Sequence, residues 1–198
     1  MRIFSMSRIA AALLMAGGAS GCHSSQKTSA PMDTQAMIAA YRKFAEPGEH
    51  HRHLNAFVGN WRTRSRMLAS DQPSESTGES TFTWVHGGRF LLQTYKGDFQ
   101  GQSFEGSGYF GYDNIQKKYV SCWTDNMSTS LYTDSGTCSG DGKVIDMSGN
   151  MPDPLSGKVL PSRSRLSWQN ANQFLFEAWN TGPDGKLFKS LEITYTRA

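Results

Sequence analysis

Glu49-His50-His51-Arg52-His53 places three imidazoles and a carboxylate within five residues, the side-chain types of a metal site. The spacing works against one. Adjacent His50 and His51 do not easily face a single ion, and no outlying carboxylate pattern is present to orient the rings. Histidines of this kind are common on solvated loops, and His53 is placed to cap or orient the entry into the next element. No metal is expected. Ser107 lies between Gly106 and Gly108, outside the Gly-x-Ser-x-Gly frame of a nucleophile elbow, and reads as a strand bending beside a neighbour. Ser24-x-x-Lys27 falls in a polar stretch where nothing preorganises it. With carboxylates scattered and no His placed to pair with a Ser or Cys, the sequence predicts no catalytic residue, no cofactor and no enzyme.

The three cysteines have different settings. Arg2 and Arg8 flank the start of the chain, Ile9 to Ala16 form a short apolar core, and Ala19-Ser20-Gly21 are small residues before Cys22. Residues 1–21 read as a signal peptide, too short to span a bilayer. The small residues before Cys22 resemble a bacterial lipobox, in which the cysteine is lipidated, although the usual Leu three residues earlier is Ala19 here. The expected location is the bacterial cell envelope, as a periplasm-facing lipoprotein held on the membrane by its lipid; a soluble periplasmic or secreted protein is the alternative. Residues 22–32 form a flexible Ser/Thr/Pro tether. Cys122 and Cys138 lie in a compartment that permits disulfides. A hairpin turning near Met127 and Ser128 sets Cys122 opposite about Thr133. Cys138 then lies further along on the other face, so two separate thiols are expected unless a bulge brings them together.

These residues must be positioned by one domain over residues 33–198. Apolar residues make up 37% of the chain, 20 residues are Gly and mean hydropathy is −0.51, a mix that suits many short strands and tight turns. The formal charge of +3 falls to +1 without residues 1–21, so nothing recommends nucleic acid as a partner. A helix is predicted first, with Asp33 or Thr34 as N-cap, Met37, Ile38, Tyr41 and Phe44 on one stripe, and Pro47-Gly48 as its stop. The stripe suggests a lid or plug across one end of a barrel.

From Phe57 the chain divides into ten predicted strands, approximately 57–68, 75–86, 89–98, 103–113, 117–125, 129–138, 142–150, 162–169, 172–181 and 185–197. Gly87-Gly88, Asp113-Asn114, Asp141-Gly142, Asn170-Ala171 and Pro183-Asp184-Gly185 are reversals that join antiparallel neighbours. Met151 to Pro161, with three prolines, reads as a longer excursion. No helical period interrupts the series, so the expected fold is all-β, a closed antiparallel up-and-down barrel. Period-2 alternation in the first strand puts Trp61, Thr63, Ser65 and Met67 on one face and Arg62, Arg64 and Arg66 on the other. Gly59 allows close backbone approach, and Trp61 plugs the floor with its indole N–H on a carbonyl.

Taken together, His53-Leu54, Phe57-Val58-Gly59-Asn60-Trp61, Gly88-Arg89-Phe90-Leu91, Gly106-x-Gly108-Tyr109-Phe110-Gly111-Tyr112-Asp113 and Lys118-Tyr119-Val120-Ser121-x-Trp123-x-Asp125-x-Met127 resemble the bacterial domain-of-unknown-function family numbered 1579 over approximately residues 45–197. The resemblance implies a calycin-type architecture, similar to lipocalins, fatty-acid-binding proteins and nitrobindin haem barrels; it implies no activity. In lipocalin-like barrels a terminal-strand Arg packs across the first-strand Trp, which nominates Arg197 over Trp61 as the closure. Nitrobindins carry a haem-ligating His on a late strand, whereas no His follows His86 here. His86 is assigned to hydrogen bonding within its turn.

A ten-stranded barrel is wide enough to keep a cavity. The same alternation nominates Trp61, Met67, Tyr119, Trp123, Asp125 and Trp179 as ligand contacts, with Ser121 beside them and Leu175 and Glu177 sharing the face of Trp179. The leading expectation is a small hydrophobic or amphipathic ligand inside the barrel. The alternative is a ligand-free structural or protein-interaction module that uses the Arg62, Arg64 and Arg66 stripe, a pattern more often explained by solvation.

Overall fold

The computed structural model describes residues 33–69 and 72–198; the segments expected to be signal peptide and tether, Cys22 included, lie outside them. Two short helices, α1 (Thr34–Phe44) and α2 (Glu49–His53), and a 3-10 turn at Leu54–Phe57 lead into ten strands. These are β1 (Gly59–Met67), β2 (Ser74–Val85), β3 (Phe90–Phe99), β4 (Gln102–Asp113), β5 (Lys118–Asp125), β6 (Tyr132–Cys138), β7 (Val144–Asp153), β8 (Lys158–Asn170), β9 (Gln173–Thr181) and β10 (Leu187–Arg197). Every strand pairs antiparallel with its neighbours in sequence, and β10 pairs with β1 to close the barrel. Closure leaves no continuous open sheet edge, which is how a meander this long avoids templating another chain.

One end is sealed and the other open. At the sealed end Leu54 and Phe57 of the 3-10 turn are fully buried among Trp61, Phe82, Phe110 and Phe174. Phe57 is the hub, with ring centres 4.7 Å from Trp168, 5.0 Å from Phe174 and 5.5 Å from Phe110. The indole N–H of Trp61 donates to the Phe57 carbonyl at 2.7 Å, so the plug is bonded to the first strand as well as packed on it. Beneath it, the Arg197 guanidinium stands 4.3 Å from the Trp61 ring centre and donates to the Val58 and Ala56 carbonyls at 3.0 and 3.1 Å. Gly59 makes this approach possible. Its φ is +123°, and a Cβ there would lie 3.1 Å from Arg197 Nη1.

Two sequence expectations are corrected. Asp33 caps α1 by accepting the Gln35 amide at 2.9 Å, but no residue of α1 is buried, and Met37, Ile38, Tyr41 and Phe44 remain 38–67% exposed. The plug is the Leu54–Phe57 turn, which has no helical apolar period long enough to reveal itself. α1 is tied to the sealed end where the Asn114 amide donates to the Phe44 and Glu46 carbonyls. The predicted excursion over 151–161 is a hairpin: β7 runs to Asp153 and β8 resumes at Lys158. The β6 ladder begins at the Thr133–Asn150 pair and the β9 ladder at the Ser162–Asn180 pair, so Pro152 and Pro161 belong to a two-stranded ribbon beyond the wall. Their missing N–H groups cost nothing at such an edge.

Arg197→Ala removes a cation–π contact and two charge-assisted hydrogen bonds, an expected loss of about 1–2 kcal/mol, or ~3–7 °C in thermal midpoint for a domain of this size. Calorimetry checks this; an unchanged midpoint removes Arg197 from the closure.

Candidate functional site

Above the aromatic floor the barrel encloses a cavity of about 410 Å³, opening between Met67, Phe99, Asp125 and Asn180. That volume falls within the range of about 300–1,000 Å³ typical of small-molecule sites. The floor is Phe57, Phe82, Phe110 and Phe174, and the Phe174 ring stacks on Tyr195 at 4.3 Å. One wall, from β8 to β10, is mainly aliphatic and aromatic: Leu166, Phe176, Leu191 and Ile193. The opposite wall carries Trp123, Asp125, Tyr132 and Asp134.

That second wall is made by glycines. A Cβ on Gly106 would stand 2.2 Å from Trp123 Cζ2, and one on Gly108 3.0 Å from Trp123 Cε3. The indole therefore lies flat on bare β4 backbone, which accounts for the Gly-x-Gly around Ser107. Trp123 Nε1 donates to Asp125 Oδ2 at 3.2 Å, and Asp125 Oδ1 accepts the Met127 amide at 3.0 Å, fixing the carboxylate at the mouth. Asp134, one row deeper on β6, accepts hydrogen bonds from the hydroxyls of Ser121 and Ser164.

Other inward polar groups are mutually satisfied. Thr63 Oγ1 donates to the Tyr95 hydroxyl at 3.0 Å, and Gln93 Nε2 bridges Ser80 Oγ at 3.1 Å and the Tyr195 hydroxyl at 3.2 Å. Burial raises the Tyr195 hydroxyl well above its ordinary range, so it stays neutral. Asn180 Oδ1 is buried and accepts no hydrogen bond among the described residues.

The nominated ligand contacts divide three ways. Met67, Trp123 and Asp125 line the cavity. Trp61 and Tyr119, each almost fully buried, belong to the floor below it. Trp179 is on the outer wall, a correction. The register pairs Phe174 with Tyr195 and Phe176 with Ile193, putting Phe174, Phe176, Ala178 and Asn180 inward and Leu175, Glu177 and Trp179 outward. Apolar residues occupy both phases of this strand, and Glu177 was the marker of the outer one. Outside, Trp179 is covered by Lys189, Arg163 and Arg165 at 5.5, 5.6 and 5.9 Å from its ring centre. Sequence reasoning passed over Asp134, Ser164 and Asn180. The hairpin register that sets Cys122 against Thr133 also sets Ser121 against Asp134, so that pair was accessible.

The histidines serve the sealed end. His51, buried, accepts the Gly48 amide on Nδ1 at 3.0 Å and bonds the Tyr112 backbone. His53 Nε2 lies 2.8 Å from the Gly142 carbonyl, which requires an N–H there; its Nδ1 then accepts the Tyr119 hydroxyl at 2.9 Å. His50 stacks on Tyr112 at 4.2 Å. Among the described residues no group of three His, Cys, Asp or Glu has metal-binding geometry. His86 is exposed in a turn, where its carbonyl accepts from Arg89 Nη1 at 3.0 Å. Cys122 and Cys138 are unbridged, and burial pushes the Cys138 thiol up.

A closed antiparallel meander with a plugged floor and an open, ligand-sized interior is a lipocalin-like barrel. Over residues 46–197 the chain matches the family described as protein of unknown function (DUF1579), and it belongs to that family. The fold is similar to that of Rv2717c from M. tuberculosis, with 16% sequence identity and a TM-score of 0.56 over 77% of this chain and 99% of that one. A redesigned β-barrel has 17% identity and a TM-score of 0.40 over 74% of this chain and 96% of that one. The S-type phycobiliprotein lyase CPES from Guillardia theta has 11% identity and a TM-score of 0.49 over 77% and 98%. These last two are loose likenesses. No curated protein matches the sequence.

Burial holds the His51 pKa below its ordinary value of 6.5, so the unfolded chain binds the extra proton. Stability is therefore expected to fall as pH drops below about 6.5, ahead of the separate loss when the hydrogen-bonded carboxylates of Asp113 and Asp146, both held below 3.8, are protonated. Thermal unfolding from pH 8 to 3 checks this, and His51→Gln should flatten the upper of the two phases.

Proposed function

We propose that this protein is an exported, lipid-anchored barrel of the bacterial envelope that holds a small hydrophobic or amphipathic molecule in its interior and performs no catalysis on it. The observation that carries the reading is the cavity of about 410 Å³, walled mainly by aromatic and aliphatic side chains above the plugged floor. A site of that size and polarity lets an apolar molecule leave water at about 25 cal/mol per Å² of surface buried. The export segment and Cys22 in the sequence support the location. The assignment of His50, His51 and His53 to Tyr119, Gly48, Gly142 and Tyr112 supports holding over chemistry, since those groups are committed to the floor.

The interaction-module alternative is weakened by what the arginine stripe touches. Arg64 pairs with Glu75 at 2.6 Å and Arg66 with Glu192 at 3.4 Å. Exposed pairs of this kind add little to stability, but they leave less uncompensated charge for an acidic partner.

Protein purified without detergent should carry a discrete extra mass in native mass spectrometry, lost on denaturation, or take up the apolar dye N-phenyl-1-naphthylamine with enhanced fluorescence. Ala178→Trp, which fills the cavity from β9, should weaken dye uptake at least tenfold with the circular dichroism spectrum retained. An apo mass together with no dye uptake would overturn the reading.

A further inference from the structure

The cavity is charged with one sign. Asp125 and Asp134 occupy inward positions of β5 and β6, while Glu75 and Asp98 at the rim lie on the outward phases of β2 and β3, Glu75 already paired with Arg64. Among the described residues the lining includes one basic side chain, Arg163, and it is turned to the outer wall, donating to Asp146 at 2.8 Å and lying 5.6 Å from the Trp179 ring centre. Arg197, on the inward phase of β10, is held below Trp61. An acid entering this barrel meets carboxylates with no cation to receive it.

Asp134 is built into place. Gly149 stands opposite it, and a Cβ there would lie 2.9 Å from Asp134 Cβ and 2.2 Å from the Thr133 carbonyl oxygen. The bare glycine lets the carboxylate turn across β7 to Ser164 while Ser121 holds its other oxygen. Two hydroxyls donating to one carboxyl group suit the ionised form, which accepts only. A carboxylate offers about four lone-pair sites and the serines take two, so acceptor capacity remains. Tyr132 precedes Asp134 on the same face and pairs with Trp123, which puts two aromatic side chains beside the anion. Along the row that runs through Gly149 and Ser162, Asn180 contributes its unpartnered, buried Oδ1, another acceptor. The donors of Gln93, Thr63, Ser121 and Ser164 are already committed.

The structure assigns the cavity to an amphiphile with a protonated amine head, the ammonium bound at Asp134 beside Trp123 and Tyr132 and the apolar tail directed at the Phe57 floor. Unpaired acceptors, aromatic rings and the lack of an inward cation all select a donor of positive charge, through hydrogen bonding, cation–π attraction and Coulomb attraction. This deepens the ligand-holding reading and rests on it.

The test is displacement of N-phenyl-1-naphthylamine from the purified protein by dodecylamine, dodecanol and dodecanoate at pH 7, each below its critical micelle concentration. Dodecylamine should bind at least tenfold tighter than dodecanol, with dodecanoate weakest. Asp134→Asn should bring the amine to within about twofold of the alcohol, with a retained circular dichroism spectrum showing that the variant folds. Equal binding of all three, or a preference for dodecanoate, overturns the amine assignment and leaves ligand holding intact. The comparison in the native sequence decides this even if the variant fails to fold. If none of the three displaces dye, or if the dye itself is not taken up, the holding reading falls and the assignment with it.

Discussion

Everything above the floor depends on the hydrogen bond from the Trp61 indole to the Phe57 carbonyl. A ten-stranded barrel is too wide for its own inward side chains to fill, and without a plug it would be a water-filled tube. The Leu54–Phe57 turn supplies the plug, but a short turn ahead of the first strand has no ladder to hold it. Trp61 gives it one bond from inside the barrel, and Arg197 binds the Ala56 and Val58 carbonyls from beneath. Because Arg197 belongs to the last strand, the same contact that fixes the plug fixes the β1–β10 seam. Closure of the sheet and closure of its end are one event, and the cavity is the volume left when both have occurred.

The sheet was legible because alternation and turn residues are local signals. Ten strands, their antiparallel order and the inward set Trp61, Thr63, Ser65 and Met67 follow from period 2 and from pairs such as Gly87-Gly88 and Asp141-Gly142. The site was legible in part, and the failures share a cause: where a strand is apolar in both phases, parity does not declare its face. Residues 174–179 alternate Phe-Leu-Phe-Glu-Ala-Trp, and the inward phase is decided by pairing with Ile193 and Tyr195 on the next strand. Prolines 152 and 161 misled for a related reason, since whether a missing N–H matters depends on whether a neighbour is there to receive it. α1 misled by showing a periodic stripe that has nothing to cover. Local pattern reports the element, while register reports what the element touches.

The distribution of charge follows from the barrel's two solvents. Outside, basic residues pair with acids and stack on an aromatic ring: Arg64 on Glu75, Arg163 and Arg165 on Asp146, and Arg163, Arg165 and Lys189 about Trp179. This outer polarity is the reverse of a lipid-facing barrel wall, which is apolar between aromatic girdles. Inside, a carboxylate is held by neutral hydroxyls, as Ser121 and Ser164 hold Asp134. The serines lower the cost of keeping the anion in a largely apolar chamber without cancelling its charge.

That distinction separates Asp134 from the polar groups around it. Thr63 with Tyr95, and Gln93 with Ser80 and Tyr195, are donors matched to acceptors, and such networks stiffen a wall without presenting anything to its contents. Asp134 has two donors against about four acceptor sites, and Asn180 Oδ1 has none. Mismatched acceptors are costly in a folded chamber, and structures retain them where something else completes them. Gly149, Gly106 and Gly108 each remove a side chain so that Asp134 and Trp123 can lie against bare backbone, at the loss of whatever packing a larger residue would have given there. A barrel selected only for stability would fill those positions and neutralise that carboxylate. The one seen here keeps the anion, clears space beside it and sets aromatic side chains at its edge, an arrangement that is accounted for by what enters the cavity rather than by what holds the wall together.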